Sequence, residues 1–507
     1  MRKATSARVL VNAALLQVGK AAATAMLIAA LLCASKAPAQ AQDSLAGKID
    51  RLNADVARVT AQLEQSANEL RDLKLEITQL RKQAKLPEDS PQTEQPDVSA
   101  AKLASAVEDI REKQDVVQTQ LAVQEQAKVG SESRYPITIG GLILMNSFVN
   151  TRTVDVPSTP SVAYYGSGAT GGSLRQSILG INATGPHIFG ATSRADVHAD
   201  FDGGQATNDY SNTLGLLRLR TAHAELDWTN TKAFVAYDRP LISPDSPTSL
   251  TAVALPALAW SGNLWAWNPQ AGVSQTLPLR STASLQLQAA LIDVADPPNP
   301  LATSPPSAVI PQTSEQSRWP GLQARVSLLN AESETGTHIG AGGYFAPHLT
   351  PGGGRFNSWA TTIDFHLPVF SHLDFEGNVY HGQALGGLGG GAFKDYVYRE
   401  YAGHTDLRTL DDIGGWVQAK EKVNERLEFN EAFGMDNLPA YQLLPFAIAN
   451  SNSYYNLARN RTFTGNVIFK PSSYLLYSIE YRRIESSPVN APTAASDVIG
   501  IAAGYRF

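Results

Sequence analysis

The sequence predicts an all-β transmembrane barrel of about 16 antiparallel strands, preceded by an α-helical coiled coil. From Tyr135 onward, apolar residues recur at every second position, as in strands with one apolar face. The links between these strands alternate between long and short. Before them, apolar residues follow a heptad spacing from Leu45 to Leu80. Beyond the N-terminus no apolar run reaches the ~18–20 residues of a membrane helix, which excludes a helical membrane protein.

Residues 1–41 have the order of features of a signal peptide. Basic residues between Arg2 and Lys20 precede an apolar core at 21–34, and Ala39-Gln40-Ala41 offers a small-x-small cleavage site. An uncleaved membrane anchor is the alternative interpretation. The single cysteine, Cys33, lies in this segment. The predicted mature chain therefore contains no disulfide and no cysteine-based metal site.

Residues 42–86 are predicted to form a periplasmic coiled coil. Ten of the eleven seam positions are apolar, and a seam of this length needs a partner helix to cover it. Leucine and β-branched residues mix along the seam, so the heptads leave dimer and trimer open. Residues 87–130 combine a Pro-rich break with a second, poorer helical segment. The seam positions are Leu45, Ile49, Leu52, Val56, Val59, Leu63, Ser66, Leu70, Leu73, Ile77 and Leu80.

Residues 131–507 are predicted to form the barrel, and the last strand is its clearest element. Ile499, Ile501 and Tyr505 point one way, while Gly500 and Ala502 point the other. Elsewhere the second face carries charges. Such strands fit a barrel with lipid outside and water inside. A soluble sandwich is the alternative, but it would not need one array of this length.

Sixteen strands follow from this alternation. Long links such as 150–174, 240–261 and 383–410 alternate with short turns, which bacterial barrels place in the periplasm. An even count puts both barrel ends, and hence the coiled coil, on the turn side. The predicted strands are 137–149, 175–183, 188–202, 214–228, 231–239, 262–277, 281–293, 319–331, 336–346, 356–366, 372–382, 411–420, 426–437, 459–470, 473–485 and 496–507.

Two strands carry charges on the predicted lipid-facing side. Glu431 shares a face with Phe429 and Phe433, and the strand at 214–228 has the same conflict at His223 and Glu225. A β-bulge or a protein interface is expected at these positions, because a bulge shifts the alternation by one residue.

The inward face of the predicted barrel carries the candidate pore residues. Arginines on separate walls, with acidic residues roughly opposite, would set up a transverse field that orients passing solutes. Arg218 and Arg220 are the preferred selectivity site, because guanidinium groups match carboxylate and phosphate. The apolar loop 241–261, whose only charge is Asp245, is expected to narrow the pore if it folds inward. The proposed pore residues are Arg194, Arg218, Arg220, Arg325, Arg482, Asp245, Asp364 and Glu376, with Asp374 beside the last.

The sequence motifs that could indicate a catalytic or cofactor site do not support one. Gly166–Gly171 matches GxGxxG, but a predicted strand follows it, so no helix N-terminus can hold a phosphate. Asp364 and His366 share a strand face, and pairing with a serine would make a barrel hydrolase. Asp411-Asp412 and the glycines at 386–391 lack the usual calcium spacing. We therefore predict no enzyme activity, no metal and no cofactor.

The charge balance argues against nucleic acid as a partner. The chain has 41 Lys+Arg against 47 Asp+Glu, a net charge of -6, so no concentrated basic surface is expected.

The terminal Phe507, in an alternating strand, resembles the signal that the barrel-assembly machinery reads.

The order of signal peptide, heptad stalk and sixteen-strand barrel ending in Phe resembles the stalked trimeric porins, especially the DcaP-type and phosphate-selective families. Leu217–His223 (LRLRTAH) and Trp267–Gln270 (WNPQ) are similar to short stretches of these families. The resemblance implies a homotrimer in the outer membrane, surrounded by its lipid, that passes small, often anionic solutes. The sequence thus favours passive diffusion of small hydrophilic and carboxylate-type solutes, with a structural or adhesive barrel as the alternative.

Overall fold

The computed structural model describes residues 136–203, 215–280, 282–297, 311–330, 336–401, 404–450 and 453–507. The predicted signal peptide, coiled coil and second helical segment lie outside these ranges. The strands are β1 (Ile137–Val154), β2 (Ala163–Ser173), β3 (Ile178–Ile188), β4 (Ala191–Asp200), β5 (Arg218–Asp227), β6 (Thr231–Asp238), β7 (Asn268–Arg280), β8 (Ala283–Ile292), β9 (Gly321–Asn330), β10 (His338–Leu349), β11 (Arg355–Phe370), β12 (Leu373–Gln383), β13 (Tyr396–Tyr401), β14 (His404–Thr409), β15 (Asp411–Asn424), β16 (Leu427–Asn437), β17 (Leu457–Phe469), β18 (Leu475–Pro488) and β19 (Ala494–Arg506). Two short helices lie in loops, α1 (Thr313–Ser317) and α2 (Ala440–Leu443).

All strands except β13 and β14 form one antiparallel sheet that closes on itself through β1. On one side β1 pairs with β19, where Leu142 lies opposite Arg506. On the other side it pairs first with β3 and then with β2, which share one strand position interrupted at 174–177. The barrel therefore has sixteen strand positions. Through β1 the two ends of the sheet are therefore paired, as a barrel in lipid requires.

The sixteen predicted strands are confirmed in number, order and approximate bounds. The strand β2 and the β13–β14 hairpin lie in segments that were predicted to be loops. The GxGxxG motif belongs to β2 and not to a loop, so its glycines serve strand packing. The links at 350–354 and 489–493 are shorter than the long loops expected on that side of the barrel.

The two faces of the barrel wall have opposite chemistry. Large apolar side chains point outward, as at Val235 and Ile479, which are both 63% exposed. Polar side chains point inward and are buried, as at Gln323 and Asn460. Among the described residues, no helix is long and apolar enough to cross a membrane. This distribution is the one expected of strands between lipid and an aqueous interior.

One of the two predicted conflicts is resolved by a bulge. His198 lies opposite Thr221 and Ala199 opposite Leu219, so β5 carries one extra residue between them. The extra residue turns His223 inward, where its Nδ1 lies 2.8 Å from Asp196 Oδ2. The second conflict remains, because the β15–β16 register is regular at Glu431 and this side chain is exposed on the outer face.

Candidate functional site

The link between β6 and β7, residues 239–267, enters the barrel; we call it the inner loop. It contains the whole apolar segment 241–261, whose inward folding was considered from the sequence. Its backbone exchanges hydrogen bonds with inward-facing side chains all around the wall. The contacts on the wall are Asn146, Gln176, Gln323, Asn378, Gln418 and Asn466.

The apolar character of the inner loop explains why it folds inward. Ile242 and Leu264 are fully buried and pack in one cluster with Tyr344, Tyr380 and Leu385. Burying a Leu or Ile side chain contributes about 1.5–3 kcal/mol. Asp245, the charged residue of the predicted segment, reaches His338 Nε2 at 3.0 Å. These apolar residues of the inner loop therefore pack in a cluster at one side of the barrel instead of facing water.

Gln176 is the most extensively bonded anchor of the inner loop. It lies in the interruption between β2 and β3 and is 1% exposed. Its Nε2 donates to the carbonyl of Thr251 (3.0 Å), and its Oε1 accepts from the amides of Val253 (2.7 Å) and Ala254 (3.1 Å). The interruption between β2 and β3 therefore places the buried amide group of Gln176 against the inner loop.

A second segment, the glycine loop at 384–395, packs beside the inner loop. Trp260 of the inner loop stacks on Phe393 at 3.7 Å between ring centroids. The ammonium of Lys394 is buried and donates to the carbonyls of Ala392, Tyr454 and Leu457. Burial lowers the pKa of Lys394 to about 7. These contacts bind the glycine loop to the inner loop and to the start of β17.

Arg218 and Arg220 form one cluster with Asp200, a residue that the sequence analysis did not single out as a pore residue. Arg218 donates to both oxygens of Asp200 at 3.0 and 2.7 Å, and Arg220 lies 3.7 Å from the same carboxylate. Both guanidinium groups also donate to inner-loop carbonyls, at Ala254 and Val253. Their central carbons lie 5.2 and 5.1 Å from the centre of the Trp267 ring. Two guanidinium groups and one carboxylate give the cluster a net charge of +1. Asp200 is fully buried.

Several residues of the predicted basic and acidic walls have partners of opposite charge close by. Arg325 pairs with Asp364 across the intervening strand β10, at 3.0 and 2.5 Å, and Arg482 pairs with Glu480 on its own strand at 2.5 Å. These partners sit on the same wall because burial of an arginine requires a carboxylate at hydrogen-bonding distance. At these positions the interior charges therefore form local ion pairs.

The remaining predicted pore residues lie apart from the arginine cluster. Arg194 is 61% exposed near the turn-side end of β4, 3.8 Å from Asp227. Glu376 accepts from Gln418 at 2.6 Å and lies 3.6 Å from Lys420. Asp374 pairs with Lys422 at 3.0 Å. These residues are inward-facing, as predicted, but they do not form one ring with Arg218 and Arg220.

A cavity of about 410 Å³ remains between the inner loop and the wall formed by β5 to β10. The inner loop contributes Arg239, Leu241 and Pro244 to its lining. The guanidinium of Arg239 donates to the carbonyl of Pro244 (3.2 Å) and interacts electrostatically with the neighbouring carboxylate of Asp238. The wall contributes His223, Glu225, Lys232, Phe234, Asp238, Gln270, Ser274, Gln286, Gln288, Arg325, Leu329 and His338.

The barrel is similar to solved outer-membrane channels. The outer membrane channel DcaP of Acinetobacter baumannii matches with a TM-score of 0.55 and 15% identity, over 75% of this chain and 99% of that chain. The chain has the porin fold. An anion-selective porin from Comamonas acidovorans matches at 10% identity with a TM-score of 0.45, over 74% of this chain and 100% of that one. OmpF of Salmonella typhi, in complex with daunomycin, matches at 11% identity with a TM-score of 0.43, over 73% and 97%. No family model and no curated protein matches the sequence.

The porin-fold barrel does not assemble the hydrolase pair considered from the sequence. Asp364 is engaged by Arg325 and lies 3.3 Å from His338. His366 lies 4.0 Å from Asp374 and from Glu376 instead. Within the described ranges, no group of three or more potential metal ligands comes together. The charged interior residues thus form ion pairs and bind the loops.

Proposed function

We propose that this protein is a passive porin of the bacterial outer membrane that passes small hydrophilic solutes, with a preference for anions. The cavity between the inner loop and the wall carries this proposal, because it gives a closed barrel of sixteen positions a polar interior space. Barrels of this size leave an aqueous channel unless it is filled. Here the inner loop occupies part of the interior, and the cavity remains between it and the wall formed by β5 to β10.

The preference for anions rests on the charges that have no full partner. The Arg218–Arg220–Asp200 cluster keeps one positive charge. Charges in a narrow, poorly screened passage act strongly on a passing ion. Small carboxylates are the solute class that such guanidinium groups suit.

Planar-bilayer recording of the purified full-length protein tests this function. We expect stable, ohmic steps in potassium chloride and a reversal potential that shows chloride to be more permeant than potassium. Inserted protein that gives no conductance would overturn the proposal. That result would favour a structural or adhesive barrel.

We further propose a homotrimer, with the stalk in the periplasm. Glu431 supports an interface on the outer wall, because a carboxylate facing lipid is unfavourable and its strand contains no bulge that would turn it inward. The resemblance to stalked porins supports the count of three. The occupants of the remaining outer wall would be outer-membrane lipids.

Deletion of residues 42–130 should leave a conducting barrel with a less stable oligomer. The physical reason is that the heptad seam ends before Pro87, well before β1 begins at Ile137. Single-channel conductance and the temperature at which the oligomer dissociates are the two measurements. A correctly inserted deletion variant without conductance would contradict the separation of stalk and pore.

Phe507→Ser should lower the yield of protein in the outer membrane and leave chain in the periplasm. Phe507 closes the barrel through reciprocal backbone bonds with Gly141 (3.0 and 3.1 Å), and its ring is 45% exposed at the rim. Tyr505→Ser is the matched control, since Tyr505 is a similarly exposed aromatic of the same strand. Equal yields of the two variants would show that assembly does not read Phe507.

A further inference from the structure

The outer wall of the barrel changes from apolar to charged at one level on three neighbouring strands, β17 to β19. We follow the outward rows toward the end that carries the long links, which bacterial barrels place outside the cell. The last apolar positions of the three rows are exposed at Phe463, Tyr481 and Ile499. The next outward positions on the same strands are Arg461, Arg483 and Asp497. Because an apolar band edged by aromatic residues marks the hydrocarbon region of such barrels, this level is the boundary between acyl chains and headgroups.

Beyond this boundary the outward charges form one connected group. Glu485 on β18 lies 2.5 Å from Arg461 Nη2 and 3.1 Å from Arg483 Nε. Asp497 on β19 lies 2.9 Å from Arg483 Nη1. The side chains of the two arginines are 43% and 44% exposed, so they remain accessible from outside the barrel. The carboxylates therefore hold two accessible guanidinium groups in place on the outer wall.

Arg459 gives this group its net charge. It lies two residues from Arg461 on β17, and the alternation of the strand places both on the outer face. Among the described residues its Nε has no hydrogen-bond partner and its guanidinium has no ion pair. Three guanidinium groups and two carboxylates thus give a net charge of +1. We call Arg459, Arg461, Arg483, Glu485 and Asp497 the outer arginine patch.

We propose that the outer arginine patch binds the phosphate groups of lipid A, the phosphorylated lipid in the outer leaflet of the bacterial outer membrane. Guanidinium groups match phosphate oxygens in geometry and charge. The patch also lies at the level of the headgroups and faces away from the lumen. The charge is local, since the last outward positions at the same end of β10 and β12 are the uncharged Leu349 and Gln383.

The test is native mass spectrometry of the purified full-length protein in detergent, titrated with lipid A. EDTA is present throughout, so that divalent cations do not bridge carboxylates to phosphate. We expect lipid A with two phosphates to bind about fivefold more tightly than the form with one, as for one unit charge at close range in water. Inorganic phosphate at the same concentration should not compete. Competition at equal concentration would indicate a site for free phosphate and overturn the proposal.

Arg459→Gln is the decisive variant, because it removes the net charge without leaving a carboxylate unpaired. It should weaken binding of lipid A about fivefold. Arg461→Gln should weaken it similarly and serves as a second variant if the first inserts poorly, since Glu485 keeps its contact with Arg483. Arg355→Gln is the matched control and should bind as wild type, because Arg355 is an exposed arginine at the same end of β11.

The oligomer and the conductance are measured on the same variants. Wild-type affinity for lipid A in both Arg459→Gln and Arg461→Gln would overturn the proposal. A loss of the oligomer with unchanged affinity would also overturn it, because the patch would then be a contact between copies of the chain. Chloride conductance should stay at the wild-type level, since the patch lies outside the lumen. The proposed porin function is therefore tested independently of this site.

Discussion

Replacing Arg218 and Arg220 together by alanine is expected to convert an anion preference into a cation preference. The wild-type cluster carries a net charge of +1, because two guanidinium groups share the buried carboxylate of Asp200. The double variant leaves that carboxylate alone, at -1. A unit charge about 4 Å from a passing ion in water changes the free energy of that ion by about 1 kcal/mol. This energy corresponds to about a fivefold change in the permeability of the ion. The reversal potential in a salt gradient should therefore change sign.

Asp200 provides the matched controls for this experiment. Adding Asp200→Asn to the double variant makes the cluster neutral and should bring the reversal potential close to zero. Asp200→Asn alone should strengthen the anion preference. Both effects should weaken in 1 M salt, where the screening length falls to about 3 Å. An unchanged reversal potential in the double variant would remove this cluster as the selectivity site.

Removing the centre of the inner loop should raise single-channel conductance at least about twofold, since the lumen of a barrel this size is wide without a constricting loop. Deleting residues 246–259 and joining the ends with a short Gly-Ser linker removes about half of the loop but keeps Asp245 and its contact with His338. The measurement is the conductance of single insertions, together with the size cut-off for neutral sugars in liposome swelling. Unchanged conductance and cut-off would show that the inner loop does not limit the passage.

A single anchor offers a milder version of the same experiment. Gln176→Ala removes three hydrogen bonds to the inner loop and should increase current fluctuations without loss of insertion. Gln442→Ala is the matched control. Gln442 is a buried glutamine in the loop between β16 and β17, and it bonds Asp411 at the start of β15. Equal noise in both variants would argue that the loop is held mainly by its apolar cluster.

The barrel could be predicted from sequence because its signal repeats along the chain. Every wall strand between lipid and water must alternate, so Leu475, Tyr477 and Ile479 indicate a strand even without knowledge of its partner. The conflict at His223 was visible for the same reason, and the bulge in β5 is its structural explanation. Turn lengths then gave the orientation.

The partners of the interior charges could not be predicted in this way. Alternation places Arg325 and Asp364 on the inner face, but their contact depends on register and on Gly340, which leaves space between them on β10. Gln176 lies inside the predicted strand 175–183, and nothing in that pattern indicates the interruption at 174–177 that turns its side chain to the inner loop. Asp200 was visible as an inward residue, but its two arginine partners depend on the bulge next to them.

The central claim is that solutes pass between the inner loop and the β5–β10 wall, and thiol labelling tests it most directly. The predicted mature chain contains no cysteine, so a single introduced thiol reports on one position. Gln286→Cys lies on the cavity, whereas Ser478→Cys lies on the opposite inner wall and is 3% exposed. A negatively charged methanethiosulfonate reagent should reduce the current of Gln286→Cys by more than about half, because the bulky anion remains in a narrow passage, and leave Ser478→Cys unchanged. Block of Ser478→Cys with no effect on Gln286→Cys would place the passage elsewhere and contradict the account.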